Sequence, residues 1–248
     1  MYILCRGTTV LVTNATGLVG SSVAAELLVA GFKVLKQHLE LEFGSATVEI
    51  VEVADPSAPG ALDHAVQGVS GIIHVAMDAS MSTDPDAVIN SVGSCSTSLS
   101  EAAARSKDVK SVVLTSSSVA VFGKTGKQPI VVDKQANQDD IVPYAYSAKD
   151  DDLSKAAAVY MASKVKGEQA AWALVKGKGF AFNNALPYWF LTPPGFFCND
   201  VRDVARAHVA ALVADEIKDQ RIFAMTELWS IEELAGAIQK GQAAPAIA

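Results

Sequence analysis

A tyrosine followed four residues later by a lysine, Tyr160-Met-Ala-Ser-Lys164, is the pair in this sequence best suited to move a proton. On a helix, positions i and i+4 share one face. An ammonium beside a phenol favours the phenolate and lowers a pKa that is ordinarily about 10. That suits a donor to a forming alkoxide, and the lysine is also placed to hold ribose hydroxyls. The spacing alone is common by chance, so its weight comes from context. Upstream, the apolar run SVVLT ends in Thr115-Ser116-Ser117-Ser118. Open α/β sheets bind their ligands at the carboxyl ends of the strands. A serine hydroxyl there can hydrogen-bond a carbonyl oxygen as it gains charge.

A second constellation lies near the amino terminus. The β-branched run Thr9–Thr13 leads into Asn14-Ala-Thr-Gly17-Leu-Val-Gly20 and then into an apolar, helix-like segment that stops at Gly31. A dinucleotide-binding turn uses glycines for a tight turn, close approach of backbone to pyrophosphate, and close helix–strand packing. Two of those three positions are filled, and Asn14 occupies the first. Asparagine is the non-glycine residue that best tolerates left-handed backbone angles, so the turn is expected to form. Asp55, at the end of a later strand, could accept from an adenine amino group or cap the following segment. His74, at the end of an apolar strand without a partner cluster, reads as a core or edge residue and is given no chemistry.

Elements at a regular rhythm must position these groups. Strands are expected at 9–13, 33–36, 47–53, 71–76, 109–116 and 180–186, and helices after the turn to about residue 30 and at 60–66, 85–106, 156–176 and 201–214. Residues 131–154 read as polar loop, 187–197 as a proline-rich segment and the final KGQAAPAIA as frayed. Alternating strands and helices imply a doubly wound parallel sheet covered on both faces, a Rossmann-type α/β fold. No internal repeat or linker divides the chain, so residues 1–248 form one domain. A small substrate-binding part is expected from about 187–200 and 215–248.

Composition removes several function classes. Half the residues are hydrophobic and 19% charged, enough for a single core. With 20 basic and 27 acidic residues the net charge is −7, which argues against a nucleic-acid partner. Cys5, Cys95 and Cys198 are far apart and form no C-x-x-C pair, so neither a metal cluster nor a disulfide framework is expected. Free thiols, an amino terminus without a basic leader and the lack of a long apolar stretch point to a cytoplasmic protein without a membrane span.

Taken in order, TNATGLVGSSVAAELLVAGFKV, GIIHVA, VVLTSSSVAV, YMASKVKGEQAAW and NDVRDVARAHVAAL resemble the extended short-chain dehydrogenase/reductase family. Within it the sequence is most similar to aldehyde/ketone and dihydroflavonol reductases. The resemblance spans about residues 8–214 and implies a Ser–Tyr–Lys catalytic group: Ser117 or Ser118, with Ser117 favoured by counting from the strand end, Tyr160 and Lys164. It implies that Thr13, Asn14, Thr16, Gly17, Leu18, Val19 and Gly20 line the pyrophosphate. Asp55 would lie near adenine, Val75, Ala76 and Lys164 near the nicotinamide ribose, and Pro187 beside the nicotinamide, while Asn90 would help shape the site.

The implied cofactor is NADPH, with NADH possible. The usual arginines for a 2′-phosphate are absent after the second strand, where Lys36 or His38 substitute only weakly. The chain between Pro194 and Val201, and at its carboxyl end, is shorter than in such relatives, so the substrate lobe is reduced. The activity implied is reduction of an aldehyde or ketone to an alcohol with Tyr160 as proton donor. The alternative is a non-redox relative on the same fold, catalysing cyclisation, isomerisation or elimination, or only binding a ligand. The expected partner is a small carbonyl substrate, and the protein is expected to be a monomer or homodimer.

Overall fold

The computed structural model describes residues 3–35, 48–49, 51–78, 80–121, 138–149, 153–188, 190–192, 195–197, 199–225, 228–229 and 236. The short apolar runs become the strands of one sheet: β1 (Thr9–Thr13), β2 (Lys33–Leu35), β3 (Val48–Glu49), β4 (Gly71–His74), β5 (Ser111–Thr115), β6 (Ala181–Pro187) and β9 (Arg221–Ala224). Their spatial order is β3-β2-β1-β4-β5-β6-β9, and every neighbouring pair is parallel. Chain direction across the sheet reverses between β1 and β4, the place where a doubly wound sheet opens a crevice at its carboxyl edge. The doubly wound α/β expectation is borne out.

Both faces are covered because the central strands are apolar on both sides. Val12, Ile73 and Val113 pack against α1 (Leu18–Val29) and α5 (Val201–Val213). Leu11, Ile72, Val112 and Leu114 pack against α2 (Pro85–Arg105) and α4 (Leu153–Val175). Two features draw α4 into place. A Cβ on Gly167 would come within 2.9 Å of Val92 Cγ1, so only glycine lets α2 and α4 approach this closely. Trp172 meets Phe182 of β6 edge-to-face with ring centroids 4.8 Å apart, an arrangement aromatic pairs favour.

Departures from expectation have local causes. Residues 60–66 form successive turns instead of a regular helix. The third strand keeps only Val48–Glu49 in the sheet. The segment expected to be polar loop holds α3 (Ile141–Ser147), whose Ile141 and Ala145 are buried, with Pro143 in its first turn where a missing N–H costs nothing. Residues 221–224, grouped by sequence with the substrate lobe, instead complete the central sheet. The proline-rich segment forms β7 (Phe190–Thr192) and β8 (Gly195–Phe197), which pair antiparallel with each other and then with β10 (Leu228–Trp229). Asn199 Nδ2 ties this small sheet to the main one by donating to the carbonyls of Tyr188 and Ala224.

Candidate active site

The end of β5 and the middle of α4 meet at the carboxyl edge of the sheet. Past Thr115 the chain makes a single 3-10 turn at Ser118–Ala120, with Ser117 as its N-cap. That turn brings the Ser117 side chain close enough to the Tyr160 phenol on α4 to favour its ionised form. The Ser118 hydroxyl is buried and has no hydrogen-bond partner among the described residues. Tyr160 and Lys164 share the sheet-facing side of α4. Lys164 is only 4% exposed. Its Nζ donates to the Thr115 carbonyl at 3.0 Å and lies 5.9 Å from the Tyr160 ring centroid. One strand end thus brings Ser117 and Lys164 near the phenol.

Electrostatics here are governed by burial. The Lys164 ammonium is pushed down to about 8 by desolvation, partly opposed by the Glu168 carboxylate one turn further on. The phenol of Tyr160 is raised by burial, which outweighs the opposing influence of the nearby Ser117 hydroxyl. The expected lowering of this phenol by Lys164 is not seen, because the ammonium is turned to a backbone carbonyl.

Two buried histidines frame the lysine, and each is driven down to about 4, first by burial and further by the Lys164 charge. His74 Nδ1 is 2.8 Å from Thr13 Oγ1, which itself accepts from the N–H groups of Val75 and Ala76. A hydroxyl has two lone pairs and one proton, so Thr13 donates to His74, leaving the imidazole proton on Nε2. His208 Nδ1 faces the Val204 carbonyl at 2.7 Å and so donates to it, while Nε2 accepts from the Thr115 hydroxyl at 2.9 Å. Both rings are structural and neutral, which for His74 agrees with the reading of a satisfied core residue.

The second constellation is built from backbone. Asn14 adopts φ 51°, the left-handed angle its position demands. A Cβ on Gly20 would sit 2.1 Å from the Asn14 carbonyl oxygen, so β1 and α1 can approach this closely only over a glycine. A Cβ on Gly17 would meet Asn14 Nδ2 at 2.9 Å. Gly17 is the N-cap of α1 and supplies no side-chain cap, and the first turn carries no acidic residue. The first N–H groups of α1 therefore stay available to an anion. Leu18 is 77% exposed and Val19 packs against the core. These residues fit the pyrophosphate of a dinucleotide. Ala76, Thr115, Ser116, Lys164 and Glu168 enclose a small space between the turn's sheet edge and α4. Pro187, at the end of β6, is half-buried.

Other expected residues stand apart. The Asp55 carboxylate is exposed and bonded to the Ser57 N–H at 2.9 Å and hydroxyl at 2.6 Å, which hold its pKa below the usual value. It caps a turn, the second of its two expected roles. Asn90 is exposed on α2 and lines an outer groove with Ser57, Tyr146 and Lys166, away from Ser117 and Tyr160. Lys36 and His38 lie outside the described residues, as do residues 122–137. Among the described residues no cluster of His, Cys, Asp or Glu could hold a metal ion, and no helix is long and apolar enough to cross a membrane. Cys5 and Cys95 are free thiols.

Residues 10–191 match the model of the NAD dependent epimerase/dehydratase family. The chain belongs to that family. It is the extended short-chain dehydrogenase/reductase family that the motifs resemble, and with named reductases among its relatives the chain is an NAD(P)-dependent oxidoreductase. A ketoreductase of Penicillium rubens is 30% identical, over 90% of this chain and 77% of its own length. A ketoreductase of Aspergillus novofumigatus is 28% identical, over 95% and 81%. Among solved structures, yeast methylglyoxal/isovaleraldehyde reductase complexed with NADPH has a TM-score of 0.75 at 19% identity, over 94% of this chain and 82% of that one. Within the family's fold, the residues that sequence reasoning passed over are Glu168, Arg221 and His208. Glu168 carried one signal, the four-residue step that continues Tyr160 and Lys164.

Proposed function

We propose that the protein reduces a small or medium-sized, hydrophobic aldehyde or ketone to the alcohol with NADPH, with Tyr160 as proton donor. The observation that carries this reading is the meeting of the buried Lys164, bonded to the Thr115 carbonyl and 5.9 Å from the Tyr160 ring, with the strand end that bears Ser117. Relatives named ketoreductase and, in Sporidiobolus salmonicolor, aldehyde reductase support it.

Bound at the turn of residues 13–20, the cofactor supplies a hydride. The carbonyl oxygen is received by the Ser117 hydroxyl, and as the carbon gains the hydride that oxygen becomes an alkoxide. Tyr160 gives it the phenolic proton, closing the balance of carbonyl, hydride and proton to alcohol. A phenol raised by burial keeps its proton at neutral pH, and an alkoxide is basic enough to take it. Lys164 spends one of its three N–H donors on Thr115. The other two are left for ribose hydroxyls.

Tyr160→Phe keeps the ring and removes the proton. Turnover of NADPH with an aldehyde and ketone panel is expected to fall about 10³-fold, the middle of the range for a lost general acid, while NADPH affinity followed by fluorescence changes less than about threefold. Full turnover in that variant would sink the proposal.

A further inference from the structure

Beyond the three reacting groups, α4 carries a buried ion pair that touches the same strand end. Glu168 is 2% exposed and sits two turns after Tyr160 on the sheet-facing side of the helix. Its Oε1 accepts from Arg221 Nε of β9 at 2.5 Å and from Trp172 Nε1 at 3.4 Å. Its Oε2 accepts from the Ser116 hydroxyl at 2.5 Å. Ser116 also donates its backbone N–H to the Ala185 carbonyl of β6. The residue that immediately precedes Ser117 is thus held from two sides, one of them a charged oxygen.

Burying a carboxylate and a guanidinium costs several kcal/mol in desolvation, and such pairs are often no more stabilising than apolar side chains of the same volume. Stability alone therefore does not account for an ion pair placed against Ser116. We propose that Glu168, clamped by Arg221, is a positioning residue: its carboxylate fixes the Ser116 hydroxyl and with it the strand end that presents Ser117 to Tyr160 and the Thr115 carbonyl to Lys164. The inference rests on the reductase reading above. Two hydrogen bonds connect the elements in series, Glu168 to Ser116 and Lys164 to Thr115, so α4 is stapled to β5 at consecutive residues. The Glu168 charge also favours the ammonium of Lys164, whose other titratable or charged neighbours among the described residues are Tyr160 on its own helix, His74 of β4, His208 of α5 and, across the carboxylate, Arg221 of β9. Both histidines are neutral, which leaves Glu168 as the anion that opposes desolvation of the lysine.

Ser116→Ala removes the link without stranding a charge. It is expected to lower kcat about tenfold while KM for the carbonyl and NADPH affinity move less than about threefold. Amide hydrogen exchange over residues 115–120 should quicken by about tenfold. Glu168→Gln should add an alkaline limb displaced to lower pH, a change that Ser116→Ala does not share and that a merely structural role would not produce. If Glu168→Gln does not fold, Glu168→Leu combined with Arg221→Met removes both charges together. That pair is expected to fold with a tenfold loss of kcat. Wild-type kcat and wild-type exchange in Ser116→Ala, or in the paired variant, would overturn the proposal. If the unmodified protein reduces no carbonyl in the panel, the reductase reading fails, and exchange over 115–120 still decides the positioning role: quickened exchange supports it and unchanged exchange overturns it.

Discussion

The two halves of the site are made from different materials. At the β5–α4 junction, side chains would carry the proposed chemistry: Ser117 and Tyr160 lie together, and Lys164 and Glu168, each bonded to the strand end, are almost fully buried. At the β1–α1 turn, the backbone is shaped to accept a ligand, and side chains matter mainly by being small. A backbone site tolerates a change of residue wherever the same dihedral angles remain accessible. A side-chain site does not, because no other residue brings a phenol or an ammonium to the same point. This is why Asn14 can replace a glycine while Tyr160 and Lys164 stand intact.

A side chain placed where the backbone site forbids one should do the most damage. In Gly20→Ala the new methyl would lie 2.1 Å from the Asn14 carbonyl oxygen, an atom that cannot swing away. Either β1 and α1 separate or the turn changes shape. The expected cost is about 3 kcal/mol of stability, the upper range for overpacking, with NADPH binding lost in whatever remains folded. Thermal unfolding with and without NADPH measures both. An unchanged melting temperature would mean that the close approach is not needed.

A smaller effect should appear in both halves at once, because a neutral histidine supports each. His74 is bound to Thr13 at the turn's end of the sheet and His208 to Thr115 at the acid's end. Each stays unprotonated in the folded state down to about 4, whereas the unfolded chain takes up a proton near 6.5. Stability is therefore complete above about pH 6.5 and declines as pH falls toward 4. Each ring contributes about 2 kcal/mol of loss by pH 5. Denaturant unfolding at pH 7 and pH 5 reads the sum, and His208→Asn should remove about half of the slope. Equal stability at the two pH values would contradict the assigned neutral tautomers.

The same division of materials explains what the sequence disclosed. Tyr160, Lys164 and Ser117 could be singled out as candidates because side-chain chemistry is written in residue identity, and the apolar runs gave the parallel sheet because burial on both faces leaves near-continuous hydrophobic strands. Glu168 and Arg221 were not, since their pairing joins α4 to β9 across 53 positions of sequence, and no local pattern announces it. The strand at Arg221–Ala224 was missed for a related reason. Four residues carry too little periodicity, and their place in the sheet depends on β6. The helix at Ile141–Ser147 hid in a polar stretch because Ile141 and Ala145 supply only one buried stripe. Sign of the Tyr160 shift also lay beyond sequence: spacing predicts that Lys164 approaches the phenol, but the Thr115 carbonyl that captures the ammonium belongs to another element.

The finest test addresses Asn14 itself, where the two kinds of site touch. Its φ of 51° costs asparagine little, and glycine would remove that strain while giving the unfolded chain more freedom. These terms oppose each other at similar size, so Asn14→Gly should change stability by less than about 0.5 kcal/mol, whereas Asn14→Ala should lose about 1 kcal/mol because alanine resists the left-handed angle. Binding separates the roles of backbone and side chain. The Asn14 amide lies over Gly17, 2.9 Å from where a Cβ would stand, so removing it opens the cradle without altering the α1 N–H groups. NADPH affinity in Asn14→Gly is expected to stay equal or tighten by up to about fivefold, measured by fluorescence titration. A tenfold loss would mean that the amide is itself a phosphate donor, and the turn would then belong with the side-chain sites after all.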